Sequence, residues 1–256
     1  MKEILSRDDG SLRILTLNSP PGNALTLRSL RTLEKLVKDA GAATAVRALL
    51  IESNVENYFS SGLDIGEVSS RKGNSRLLPF DALVDAYRTL LDCPKPTVAI
   101  LNGSALLGGW IVAMACDWRL ATPESDVSLS EIRLGLSPTA GFIARLRALS
   151  SDSRLVKEML LRGRRVGADA ALAAGLIDEV HRREELPGAA LALARRLAKS
   201  PPRAYASIKR ELNAVHSGDS IWKGSLREFK KMFSGAEARE GLCAAAMKRR
   251  PRWEAA

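Results

Sequence analysis

Short apolar runs at residues 46–51 and 97–101 and a further strand-like segment at 117–121, separated by segments of helical periodicity, constrain this chain more than any other feature. A run of that length without polar alternation suits a strand covered on both faces. Between the runs, Leu30, Leu33, Leu36 and Val37 recur at three- and four-residue steps within 27–40, and residues 80–91 and 107–115 form two more helical stretches. Strand alternating with helix predicts an α/β fold built on a parallel sheet. The chain opens with an expected hairpin, 3–7 and 12–17, around the turn Asp8-Asp9-Gly10. Beyond residue 185 only helices are predicted, at 186–198, 203–215, 225–233 and 236–248, punctuated by Pro201-Pro202, Gly218 and Ser234-Gly235. The expected division is a core at 1–198 followed by a helical region at 199–256.

Two glycine-containing segments carry the chemistry. They are Ser60-Ser61-Gly62-Leu63-Asp64 and Asn102-Gly103-Ser104-Ala105-Leu106-Leu107-Gly108-Gly109, each following or ending a predicted strand. Glycine permits unusual backbone angles and close ligand approach, so two such turns can aim N–H groups at one point. Donors fixed before reaction are what a developing oxyanion needs, which marks an acyl-group site.

The blocks Asn23-Ala24-Leu25, Phe59 to Asp64, Lys95-Pro96-Thr97-Val98-Ala99, Cys116-Asp117, Glu131-Ile132-Arg133-Leu134-Gly135-Leu136 and Ala174-Gly175-Leu176-Ile177-Asp178-Glu179-Val180 occur in this order. Together they resemble the crotonase (enoyl-CoA hydratase/isomerase) superfamily over nearly the whole chain. The resemblance implies a crotonase-like spiral of ββα units with a C-terminal helical region that mediates assembly into a homotrimer or hexamer. It also implies an acyl-CoA substrate, with coenzyme A as part of the substrate and no metal or redox cofactor. The oxyanion donors would be the N–H groups of Leu63 and Gly108, the second at a helix start where such groups are unpaired. Substrate contacts would fall on Ala24, Ser61, Gly62, Asp64, Ile65, Trp110 and Ile111, and on Phe229 and Lys248 near the C-terminus. Asp64 also suits a helix cap ahead of residues 65–68, and Trp110 suits core packing.

The hydratases of this superfamily use two glutamates to activate water. At the first of those positions this chain has Ile111, and at the second it has Glu131. An isoleucine can neither bind nor deprotonate water. One carboxylate beside an oxyanion hole can still move a proton from C2 to C4 of a 3-enoyl thioester. The local motifs resemble the Δ3,Δ2-enoyl-CoA isomerases, in which Glu131 would be that base. The alternatives are hydration on one glutamate, decarboxylation of a CoA- or carrier-linked acid, and a non-catalytic CoA- or RNA-binding homologue.

Composition narrows the remaining classes. Three cysteines, Cys93, Cys116 and Cys243, form no zinc pattern and suit a reducing compartment, and the N-terminal residues contain no signal-peptide core. With no apolar stretch of bilayer-spanning length, a cytoplasmic location away from membranes is expected. Residues 195–252 hold 15 Lys or Arg against 5 Asp or Glu and so carry the whole formal charge of +10. No nucleic-acid motif accompanies them, and apolar Ile208, Leu212 and Val215 recur at helical spacing, so solvated helix faces are expected there. The two histidines, His181 and His216, have no serine or cysteine nucleophile motif nearby and read as structural or surface residues.

Overall fold

The computed structural model describes residues 2–217 and 219–253, with the side chains of residues 215–221, including Val215 and His216, outside the description. The expected hairpin forms from β1 (Ile4–Asp9) and β2 (Leu12–Leu17), followed by β3 (Ala24–Leu25) and α1 (Leu27–Ala42). Three strand–strand–helix units come next. The first contains β4 (Ala48–Ser53), β5 (Asn57–Ser60), β6 (Gly62–Leu63), α2 (Ile65–Ser70) and α3 (Leu78–Leu91). The second contains β7 (Thr97–Leu101), β8 (Gly103–Leu106) and α4 (Gly108–Ala115). The third contains β9 (Trp118–Ala121), β10 (Asp126–Ser128), a 3₁₀ turn at Glu131–Leu134, α5 (Ala140–Leu149) and α6 (Ser153–Arg162). The chain closes with β11 (Val166–Gly167), α7 (Ala168–Ala173), β12 (Glu179–Val180), α8 (Leu186–Ala198), α9 (Pro202–Ser217), α10 (Asp219–Phe233) and α11 (Ala236–Ala246).

The first strand of each unit joins a six-stranded sheet in the order β1-β2-β4-β7-β9-β12, and the second joins a four-stranded sheet, β11-β10-β8-β5. This stepwise sharing of strands between two sheets is the expected spiral. All strand pairs from β2 to β12 in the larger sheet are parallel. Alternate residues of its strands enter two separate cores, as the pleat requires. Ile14, Leu50, Val98 and Leu120 pack on one side with Leu186, Ala190 and Leu193 of α8, while Leu15, Leu49, Ile51 and Leu101 face the main core. Burial on both faces explains why these strands read as continuous apolar runs.

The C-terminal helices dock on the core through rings and one buried ion pair. Trp222, Phe229 and Phe233 join the main core, where Phe229 stacks on Phe80 of α3 with centroids 3.6 Å apart. Helix α9 reverses an expectation. Its apolar Ile208 and Leu212 are 61% and 70% exposed, whereas Lys209 and Asn213 face inward. Lys209 pairs with Asp117 at 2.9 Å and donates to the Lys95 carbonyl, and Asn213 donates to the Leu91 carbonyl. Helical spacing alone could not reveal that the polar face was the inner one. These contacts satisfy polar groups at the strand ends that would otherwise be buried alone.

Helix α4 and strand β5 approach closely at Gly109. A Cβ added at Gly109 would lie 2.4 Å from the Ser60 carbonyl oxygen at the end of β5. Gly109→Ala should therefore force α4 and β5 apart, lowering unfolding free energy by about 1–3 kcal/mol. Urea denaturation measures this, and an unchanged midpoint would contradict the packing.

Candidate active site

Three adjacent strands of the smaller sheet deliver the expected catalytic residues at one edge. Strands β5, β8 and β10 run parallel, with Asn57 opposite Gly103 and Val127 opposite Ala105. Their carboxyl ends lead respectively to Leu63, to Gly108 and to Glu131. In parallel α/β sheets this end is where loops converge on ligands. A register shift between Tyr58 and Ser60 turns the end of β5 toward β6.

The two glycine segments touch through their backbones. Gly62 has φ of +95°, and a Cβ there would meet the Leu107 Cβ at 3.0 Å, the Leu106 oxygen at 3.1 Å and the Gly108 nitrogen at 3.2 Å. A Cβ at Gly108 would in turn lie 3.4 Å from the Leu63 nitrogen. The two expected donors are thus neighbours. Gly108 opens α4, so its N–H has no intrahelical acceptor, and no side chain caps this helix. The helix dipole adds partial positive charge at the same point. Leu107, at φ 50° and ψ −121°, holds a backbone conformation that side-chain-bearing residues rarely adopt. Its N–H donates to the Ser128 carbonyl at 2.9 Å, which ties this strained turn to the strand leading to Glu131.

Glu131 begins the 3₁₀ turn and is only 8% exposed. Its Oε2 has no hydrogen-bond partner among the described residues. Burial with no compensating cation raises its carboxyl from the ordinary glutamate range to about 8. Ile111 is buried in α4 and so presents hydrocarbon, and Trp110 beside it is fully buried in the main core. The Trp110 indole N–H also has no partner among the described residues.

The remaining expected residues separate into two groups. Ala24 lies opposite Gly62 through the β3–β6 pairing, and Ser61 donates its N–H to the Gly22 carbonyl, so these half-exposed residues flank the Gly62 turn together with Ile65. Asp64 is the N-cap of α2, accepting the Glu67 N–H at 2.7 Å, which gives its carboxylate a structural task. Phe229 is buried against Phe80 as packing, and Lys248 is exposed just past α11 with φ of 53°. His181 bonds Glu179 at 2.7 Å, in keeping with a structural role. No group of metal-binding side chains occurs among the described residues, and no described helix is long and apolar enough to cross a membrane.

Two positioning residues escaped the sequence reading. Leu107 gave no signal because leucine does not announce a positive φ. Asn23 stood in a quoted motif without a task, yet it is 1% exposed and organises the Gly62 turn. Its Nδ2 donates to Ser53 Oγ at 2.7 Å and to the Phe59 carbonyl at 3.1 Å. Its own carbonyl accepts the Ser60 hydroxyl at 2.7 Å, and that hydroxyl accepts the Gly62 N–H at 3.2 Å. Asparagine tolerates the positive φ that it adopts here, but its hydrogen bonds come from tertiary contacts that the sequence does not display.

Comparison with known proteins agrees with this fold. A probable enoyl-CoA hydratase of Bacillus subtilis (strain 168) is 31% identical over 253 residues, covering 96% of each chain. Carnitinyl-CoA dehydratase of Salmonella arizonae is 30% identical over 253 residues, again covering 96% of each. The fold superposes on human mitochondrial delta3-delta2-enoyl-CoA isomerase with a TM-score of 0.90 at 21% identity, covering 96% of this chain and 98% of that one. The family described as enoyl-CoA hydratase/isomerase matches residues 7–256, and the chain belongs to that family.

Proposed function

We propose that this enzyme is a Δ3,Δ2-enoyl-CoA isomerase that uses Glu131 as its single base. The observation that carries the reading is a buried Glu131 carboxyl whose Oε2 has no hydrogen-bond partner among the described residues, with isoleucine where a second carboxylate would stand. Glu131 takes a proton from C2 of a 3-enoyl thioester, and the electrons spread over a dienolate. The N–H groups of Leu63 and Gly108 hold the thioester oxygen as it gains charge. Glu131 then returns the proton to C4, so the double bond moves from C3–C4 to C2–C3 and no atom is gained or lost. A base used twice needs a pKa near the working pH, and desolvation supplies it. Hydration needs a second group to orient water, and Ile111 offers none. The names of the two curated relatives point to the addition or loss of water, so 2-enoyl-CoA is the decisive comparison substrate.

Glu131→Gln keeps the shape and removes the base. Isomerisation of 3-enoyl-CoA should fall by roughly 100- to 10,000-fold, with little change in thioester binding. Efficient hydration of 2-enoyl-CoA by the wild type, together with intact isomerisation in Glu131→Gln, would overturn the proposal.

The pH profile has a defined sign. The base form is the ionised carboxylate, so with a carboxyl near 8 only about a tenth is active in the free enzyme at pH 7. kcat/KM should rise through neutrality and level off above about pH 8. A profile flat from pH 5 upward would show an ordinary glutamate.

Gly62→Ala places a Cβ against Leu107, Leu106 and the Gly108 nitrogen at a φ that alanine resists. Displacing one oxyanion donor should lower kcat by about 100-fold or more. Retention of wild-type kcat in the folded variant would remove this turn from the site.

A further inference from the structure

The C-terminal tail builds a second basic pocket outside the catalytic edge. Helix α11 seats directly on the 3₁₀ turn, where a Cβ at Gly241 would lie 2.3 Å from the Leu134 carbonyl carbon. Glu240 then folds the tail back on the helix. It accepts both terminal nitrogens of Arg249, at 2.6 and 2.9 Å, and the Arg252 N–H at 2.7 Å. The fold-back leaves a cavity of about 490 Å³ lined by Arg133, Arg162, Arg249, Arg250 and Trp253, with apolar residues between them. None of Leu63, Gly108 or Glu131 lines it.

Its charge is only partly compensated: Arg249 is paired with Glu240 and Arg162 lies in the field of Glu158, while among the described residues Arg133 and Arg250 have no acidic partner of that kind. Arg133, Arg162 and Arg250 make no ion pair among the described residues. The nearby acids are engaged elsewhere, Glu240 by Arg249 and Glu158 by Arg154 and Arg164. Gly163 gives Arg133 its place, since a Cβ there would come within 2.8 Å of the Arg133 Nε. Trp253 remains 41% exposed at the same cavity. Guanidinium forks match phosphate oxygens in shape and charge, and an indole face suits a planar base. The volume falls within the range of small-ligand sites. We infer that this pocket binds a nucleoside di- or triphosphate, with phosphates on Arg133, Arg162 and Arg250 and the base on Trp253.

Isothermal titration calorimetry of the full chain, with saturating coenzyme A already present, tests the assignment using ADP, inorganic diphosphate and a 12-residue oligoadenylate. One ADP should bind per chain despite the coenzyme A. Arg133→Gln combined with Arg250→Gln should weaken both ADP and diphosphate by about tenfold or more. Trp253→Leu should weaken ADP by about tenfold while leaving diphosphate within about twofold. These positions are exposed, and matched circular-dichroism spectra and thermal midpoints verify the fold. Absence of ADP binding, its loss in the presence of coenzyme A, or insensitivity to both variants would overturn the proposal. Oligoadenylate binding more than tenfold tighter than ADP would overturn it in favour of a nucleic-acid surface.

Discussion

The site depends on direct backbone contact between the turn after β5 and the start of α4. Gly62 meets Leu107 and Gly108, and Gly109 meets Ser60. That approach makes neighbours of the Leu63 and Gly108 N–H groups. It also obliges Leu107 to accept a positive φ, a conformation that costs on the order of 1–3 kcal/mol. The hydrogen bonds of Asn23, Ser60 and Ser128 hold the turn in place against that cost. In the proposed reaction, N–H donors fixed by the fold would require no reorganisation when charge develops, which is the advantage of placing them on backbone rather than on mobile side chains.

Glu131 shows the same trade between stability and chemistry. A buried carboxyl with no cation beside it opposes folding whenever it is ionised, and an isosteric neutral group would avoid that penalty. The strand that leads to it also accepts the Leu107 N–H through Ser128, so Glu131 and the Leu107 turn share one support. Ile111 and Leu129 belong to the main core, and burial sustains the raised Glu131 carboxyl by limiting its solvation.

Much of this was legible in the sequence because the buried strands of a two-sided sheet leave continuous apolar runs. Residues 97–101 and helix 186–198 matched the observed limits, the hairpin and most long helices were found with small differences at their ends, and α10 was expected only from residue 225 although it begins at Asp219. The helices α5, α6 and α7 were missed, and so were the two-residue strands β3, β6, β11 and β12, which are too short to show periodicity. The inward face of α9 was hidden because Lys209 and Asn213 are buried by specific partners rather than by hydrophobicity. At the site, Leu63, Gly108 and Glu131 could be named from motifs, and the structure places them at the ends of neighbouring strands. The strain at Leu107 and the bonding of Asn23 were invisible because they arise from tertiary contacts. Asp64 was ambiguous in sequence and is a helix cap in the fold.

The central claim is that the fold holds Glu131 where its charge is unfavourable. Unfolding free energy of wild type and Glu131→Gln, compared from pH 4 to pH 9, tests it most directly. For a carboxyl raised to about 8 when folded, stability is fully present below the unfolded value near 4.5, falls as pH rises, and stops falling above about 8. The account predicts that Glu131→Gln gains on wild type across that window, by on the order of a few kcal/mol at its upper end. Parallel stability curves across the whole range would contradict it.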